Sequence, residues 1–283
     1  MTGVKRSVIA IAFVAVFATL SFVGHGQVTS ADKTPPPGSG DSRQREFVDS
    51  QFVTNAGERT ASGGCHFKGY RLTLPPGQKV VEARQVSVDY DTCTELIEVG
   101  TPTEDSETLP PGQYSEATEK AKEPNAHASA GTDMFTAQSY HDVRYEVWWE
   151  DIINADVTKT WAKLKFDNID GCVYNSSGSA YYWWRSSTGW KKLSSSVRLY
   201  RPTYGWCVPT PDQPTRSRSA YTEVDSHFQA VSVFCGFLEV NNFYENVTVK
   251  GYYDGSVTGW VDDTWVVEPP VCPPLHWHSK LVR

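Results

Sequence analysis

Short runs that alternate apolar and polar residues with a period of two, each cut off by glycine or proline, recur through the second half of this sequence. In "WAKLKFD", Ala162, Leu164 and Phe166 fall on one face and Lys163 and Lys165 on the other, the signature of a half-buried strand. In "NVTVKGYYDGSVTGWV" two such runs flank Asp254-Gly255, a pair suited to the positive φ values of a type I′ hairpin turn. Asp170-Gly171, Asn175 to Gly178 and Pro209 to Pro214 supply further turns. The helix-like stretch around Glu150 to Lys163 has too little apolar periodicity to interrupt this pattern. Residues 133–283 therefore read as an all-β sandwich or jelly roll, long enough to bury a sizeable core. Pro269, Pro270, Pro273 and Pro274 end the regular structure and leave a tail, "LHWHSKLVR".

Upstream, "YRLTL" is stopped by Pro75-Pro76-Gly77, and Val86, Val88 and Tyr90 then alternate with Gln85, Ser87 and Asp89. Residues 60–100 form a small β unit, too short for a core of its own without a staple or a host surface. On either side the composition changes to Pro, Gly, Ser and charge. Such segments bury too little apolar surface to offset their ordering entropy. Residues 27–59 read as a flexible tether and 101–132 as an acidic linker, with a short helix open to Ser115–Lys122.

The first 26 residues have the form of a secretory signal peptide: Lys5 and Arg6, then an apolar run from Ser7 to Gly24. The same run would serve as an anchor if it stayed uncleaved. The six cysteines, Cys65, Cys93, Cys172, Cys207, Cys235 and Cys272, all follow it. An even set in an exported chain points to disulfides rather than metal, and no C-x-x-C occurs. Six cysteines allow 15 connectivities. Cys65 is paired here with Cys93, which shares its segment; for the other four the sequence gives no firm choice, and Cys172 with Cys207 and Cys235 with Cys272 is the arrangement taken as the expectation. The chain is expected to be secreted and extracellular.

The tryptophans and tyrosines raise the question of a site. In "AYYWWRSSTGWKK" alternation puts Tyr181 and Trp183 on one face and Tyr182 and Trp184 on the other, and Trp148 and Trp149 are split in the same way. One set must look outward or lie under loops, and exposed rings commonly mark a contact surface. Trp148, Trp149, Tyr182, Trp184 and Trp190 are the candidate ligand-binding residues, and a glycan or cell-envelope polymer is the expected partner. All of these rings also suit a core. A net charge of −7 argues against nucleic acid and anionic membrane as partners.

Catalytic signals are sparse. No motif for a catalytic serine, a zinc protease or a phosphate loop occurs, and no cofactor is implied. Glu146 and Glu150 are weak candidates for a glycosidase-like carboxylate pair, with Asp262 and Asp263 as remote partners. His276 and His278 alternate like two metal ligands without a recognisable third. Asp167, Asn168 and Asp170 hold oxygen atoms suited to calcium but also have an ordinary turn composition. Asn175-Ser-Ser and Asn246-Val-Thr are glycosylation sequons. The resulting expectation is a secreted, non-catalytic binding or surface-interaction protein. A secreted hydrolase and a purely structural extracellular protein are the alternatives.

Overall fold

The computed structural model describes residues 46–61, 63–103, 113–119, 139–150, 156–232, 239–261, 265–267 and 275–283. The strands are β1 (Phe47–Ala56), β2 (Glu58–Arg59), β3 (Cys65–Phe67), β4 (Leu72–Leu74), β5 (Val80–Asp89), β6 (Thr94–Pro102), β7 (Gln113–Glu119) and β8 (Ser139–Glu150). They continue with β9 (Asp156–Ile169), β10 (Cys172–Trp184), β11 (Trp190–Tyr200), β12 (Ser219–Ser232), β13 (Glu239–Tyr252), β14 (Val257–Val261), β15 (Trp265–Val267) and β16 (His276–Val282). Among the described residues, eight strands form one sheet in the order β1-β6-β5-β16-β8-β9-β10-β7. Five form a second, β11-β12-β13-β14-β4, and β15, β3 and β2 form a small third. The two large sheets enclose one hydrophobic core, so the chain folds as a disulfide-stabilised all-β sandwich.

The alternation in the sequence sets the layers. Ala162, Leu164 and Phe166 of β9 are buried together with Val143, Tyr145 and Val147 of β8, facing Val224 and Phe228 of β12 and Val247 and Val249 of β13. Lys163 and Lys165 point to the other side, where their Nζ atoms lie 3.1 and 3.7 Å from the Asp142 carboxylate. The sheets approach closely where the second one carries glycine. A Cβ on Gly251 would come within 2.3 Å of the Phe166 ring, and one on Gly259 within 2.4 Å of Tyr145.

The type I′ turn lies at Asp170-Gly171, whose φ values of 49° and 69° join β9 to β10 with two residues. Asp254-Gly255 differs from the expected I′ geometry. Only Gly255 takes positive φ there; its N–H donates to the Tyr252 carbonyl, and the Tyr252 N–H donates to Ser256. This is the wider connection in which a left-handed glycine follows the turn.

Several segment boundaries change. The 60–100 unit is no separate body: β5 and β6 belong to the eight-stranded sheet, and β4 pairs with β14 of the other. Cys65–Cys93 staples β3 to the β5–β6 turn, and Cys172–Cys207 ties the long β11–β12 connection to the start of β10. The tether ends earlier than residue 59, because β1 pairs with β6, and the acidic linker contributes β7, paired with β10, where a helix was open. Among the described residues both are sheet edges. An edge strand is held by one backbone ladder and needs little apolar surface, so its composition resembles a linker. The stretch around Glu150 to Lys163 enters β9 with no helix among its described residues, and the expected tail is β16, inside the sheet. The signal segment 1–26 and the Cys235–Cys272 pair lie outside the described residues.

β16 lies between β5 and β8, and its Trp277 is directly opposite Trp149. Each indole N–H donates to a buried carboxylate. Trp149 Nε1 reaches Glu245 Oε1 on β13 at 2.9 Å, and Trp277 Nε1 reaches Glu95 Oε2 on β6 at 3.0 Å. Ser226 completes the Glu245 site, and Gln85 and Asn55 complete that of Glu95. Burial raises both carboxyls, that of Glu245 to about 7, against hydrogen bonds that lower them.

Trp277→Ala removes a core indole and leaves Glu95 short of a donor; a loss of about 3 to 5 kcal/mol is expected in denaturant titration. A change below about 1 kcal/mol would contradict the role assigned to β16. Glu245 titrates near 7 when folded and near 4.5 when unfolded. Its contribution is fully present below pH 4.5 and is lost as pH rises towards 7, by about 3 kcal/mol. Glu245→Gln should flatten that stretch of the stability–pH curve, and an unchanged slope would refute the assignment.

Candidate functional site

The rings proposed from sequence as a ligand face are mostly interior. Tyr182 is 0% exposed and its hydroxyl donates to the Ser196 carbonyl at 3.0 Å. Trp149 and Trp190 both pack on Phe243 in the main core, and Trp184 is half-buried against it. Trp148 lies on the opposite sheet face yet is only 2% exposed. Its ring stacks on His278 with centroids 5.0 Å apart, and Lys159 Nζ sits 4.7 Å from its centre. The physical reason is strand position: β8 and β10 lie inside the eight-stranded sheet, where cross-strand neighbours cover the outward rings. These five residues do not form an exposed platform.

The carboxylates are also engaged. Glu146 pairs with Arg144. Glu150 accepts from Trp148 Nε1 at 3.0 Å and pairs with His278 Nε2 at 3.1 Å. Burial raises the Glu150 carboxyl, but the charge and hydrogen bond of His278 and the indole outweigh it and hold the group at about 2. Four residues apart on one strand, Glu146 and Glu150 are separated by roughly 13 Å along the backbone, more than an inverting pair of glycosidase carboxylates requires. Asp262 and Asp263 lie outside the described residues.

Among the described residues no three His, Cys, Asp or Glu side chains converge as a metal site. His278 is spent on Glu150. Asp167 and Asn168, neighbours on β9, point to opposite faces: Asp167 accepts from Asn175 Nδ2 at 2.9 Å, and Asn168 Nδ2 donates to the Tyr252 carbonyl at 3.2 Å. The Asn246 amide donates to Asp225 at 2.7 Å.

A different site lies at the open end of the sandwich. A cavity of about 330 Å³ is bordered by the Pro76-Gly77 turn, Ser139 and His141 of β8, Asn168 to Gly171 at the β9–β10 turn, Tyr253 to Gly255, and Arg283. Gly255 is its hub. Arg283 Nη2 donates to the Gly255 carbonyl, while Asn168 Nδ2 and His141 Nε2 lie 3.4 and 3.7 Å from where a Gly255 Cβ would stand. His141 stacks on Phe166, and burial, then the Arg283 charge, lower its pKa.

Beside the cavity, the loop held by Cys172–Cys207 presents Trp206, which is 58% exposed. The Arg218 guanidinium lies 5.2 Å from the Trp206 ring centre and 4.9 Å from that of Tyr253. Tyr253 meets Trp206 edge-on at 6.2 Å, so one ring belongs to both the clamp and the cavity wall. Sequence reasoning passed over this group because its members come from turns far apart in the chain. The usable signal was Gly205-Trp206-Cys207, a tryptophan beside a bridged cysteine in a segment punctuated by Pro202, Pro209, Pro211 and Pro214.

The Glu150 carboxyl sits below its ordinary 4.5, so its stabilisation is present above pH 4.5 and is lost as pH falls through about 2. Relative to Glu150→Gln, the parent protein should be more stable at pH 6 by roughly 1 to 3 kcal/mol. The gap should close on acidification; a gap that is constant with pH would show that the His278 pair does not set it.

No protein-family model, no curated protein and no solved structure matches this chain.

Proposed function

We propose that this is an exported, non-catalytic binding protein that engages a glycan or another cell-envelope polymer at the open end of its sandwich. The observation that carries the reading is the exposed Trp206, braced by Arg218 and Tyr253 beside a polar cavity. A flat ring displayed to solvent next to convergent polar groups suits the C–H face of a sugar whose hydroxyls reach into the cavity. Two disulfides favour an oxidising compartment, in keeping with export of the chain by its apolar leader. The rings first considered as a platform act as core in this reading, and the binding role passes to the loop between β11 and β12.

The test is titration of tryptophan emission against soluble glycans and cell-envelope fragments. One class should give a saturable change, and Trp206→Ala should weaken that binding at least tenfold while the melting temperature stays close to that of the parent. Emission that ignores the whole panel, or a Trp206→Ala protein with unaltered affinity, would remove the proposal.

A further inference from the structure

We infer that β1 is a docking edge for a second copy of this chain, the two strands pairing antiparallel about a two-fold axis at Phe52. The inference is independent of the binding role proposed above.

β1 is 10 residues long and is held on one side by β6, while its other side ends the eight-stranded sheet among the described residues. A free edge is a template for another strand, and folded proteins guard it with charge, proline, bulges or brevity. The other edges carry such guards. β4, β15 and β2 are only 3, 3 and 2 residues long. β7 has Glu116 and Glu119, and β11 has Lys191, Lys192 and Arg198 with a bulge between Lys192 and Ser194. β1 has one bulge, between Phe47 and Ser50, which leaves Asp49 without a partner on β6. Residues 50–56 then contain no charge, proline or glycine. Within this run Phe52 is 61% exposed.

The two faces of β1 fix how a copy would join it. Val53 stands opposite the fully buried Ile97 and packs against the core, so Gln51 and Val53 lie on the inner side and Ser50, Phe52 and Thr54 on the outer. A copy whose core lies on the same side must set inner residues opposite inner ones, which leaves only every second register. With the axis at Phe52, the two phenyl rings face each other. Ser50 then meets Thr54 of the second copy, and Gln51 meets Val53 of the second copy. Aromatic pairs and hydroxyl pairs are contacts that stabilise neighbouring strands, and no like charges are set opposite each other. An axis at Val53 would pair Phe52 with Thr54 instead of with a second ring. The strand thus complements itself, and a two-fold contact of this kind closes at two copies and uses up the free edge of both. A ladder this short buries less than the roughly 1,200 Å² of a standard interface, so the dimer is reversible.

The experiment follows the mature chain by analytical ultracentrifugation across the micromolar range, with amide hydrogen exchange read at both ends of that range. The mass is expected to rise from one chain towards two, and exchange within residues 50–54 to slow as concentration increases. Phe52→Lys sets two ammonium groups against each other at the axis and should weaken dimerisation by roughly tenfold or more. Ser50→Lys, on the same exposed face, should act in the same direction. Both positions are exposed, so melting temperature and circular dichroism should stay close to those of the parent. A chain that remains a single copy throughout would overturn the inference. So would a dimer that forms with unchanged exchange in β1, or one that Phe52→Lys leaves intact, since either places the contact on another surface.

Discussion

The eight-stranded sheet is continuous only because β16 pairs with β5 on one side and β8 on the other. Without it, β1, β6 and β5 would have no backbone connection to β8, β9, β10 and β7. The strand is fixed from within as well. Trp277 and Trp149 stand opposite each other, and each indole adds a donor to a buried carboxyl that is also bonded by other side chains, Glu95 in the same sheet and Glu245 across the core. A buried polar group is costly unless its hydrogen bonds are met, so each Trp–Glu pair ties its strand to a fixed partner as well as filling space. The core is therefore locked in register by polar contacts as much as by apolar packing.

Much of the sandwich was legible in the sequence, and the parts that were not share physical causes. β9, β10, β13 and β14 carry an alternation that reads directly, and the Cys65–Cys93 bridge follows from neighbourhood along the chain, whereas nothing in the sequence singles out Cys172–Cys207 from the other pairings of its four cysteines. β1 and β7 escaped because edge strands derive their stability from a backbone ladder and carry polar side chains by design. β16 escaped because Ser279 and Lys280 hide an inward set of Trp277, Ser279 and Leu281 behind an outward set of His276, His278 and Lys280. Tail-like composition and a central position are compatible when cross-strand partners, here Glu150 and Glu146 of β8, face the charges.

The aromatic clusters show the same limit from the other side. Alternation correctly divides Trp148 from Trp149, but it cannot say whether an outward face meets water or neighbouring side chains. Here His278 and Lys159 lie against Trp148. The candidate site could not be read from periodicity at all, since Asn168, Trp206, Arg218, Tyr253 and Arg283 are gathered from turns and from the residue after β16, where no local pattern announces a shared neighbour.

The position of β16 also fixes an order of events. Its partner β5 lies roughly 190 residues earlier in the chain, a separation that makes closure of the sheet slow compared with the local hairpins. β5–β6 and β9–β10 can form as they are made, but they stay unconnected until β16 arrives. Arg283 follows that strand directly and forms one wall of the end cavity, so the cavity is completed by the same late step. Partly folded chains would have hairpins and no end cavity, so the cavity's presence would report the finished sheet.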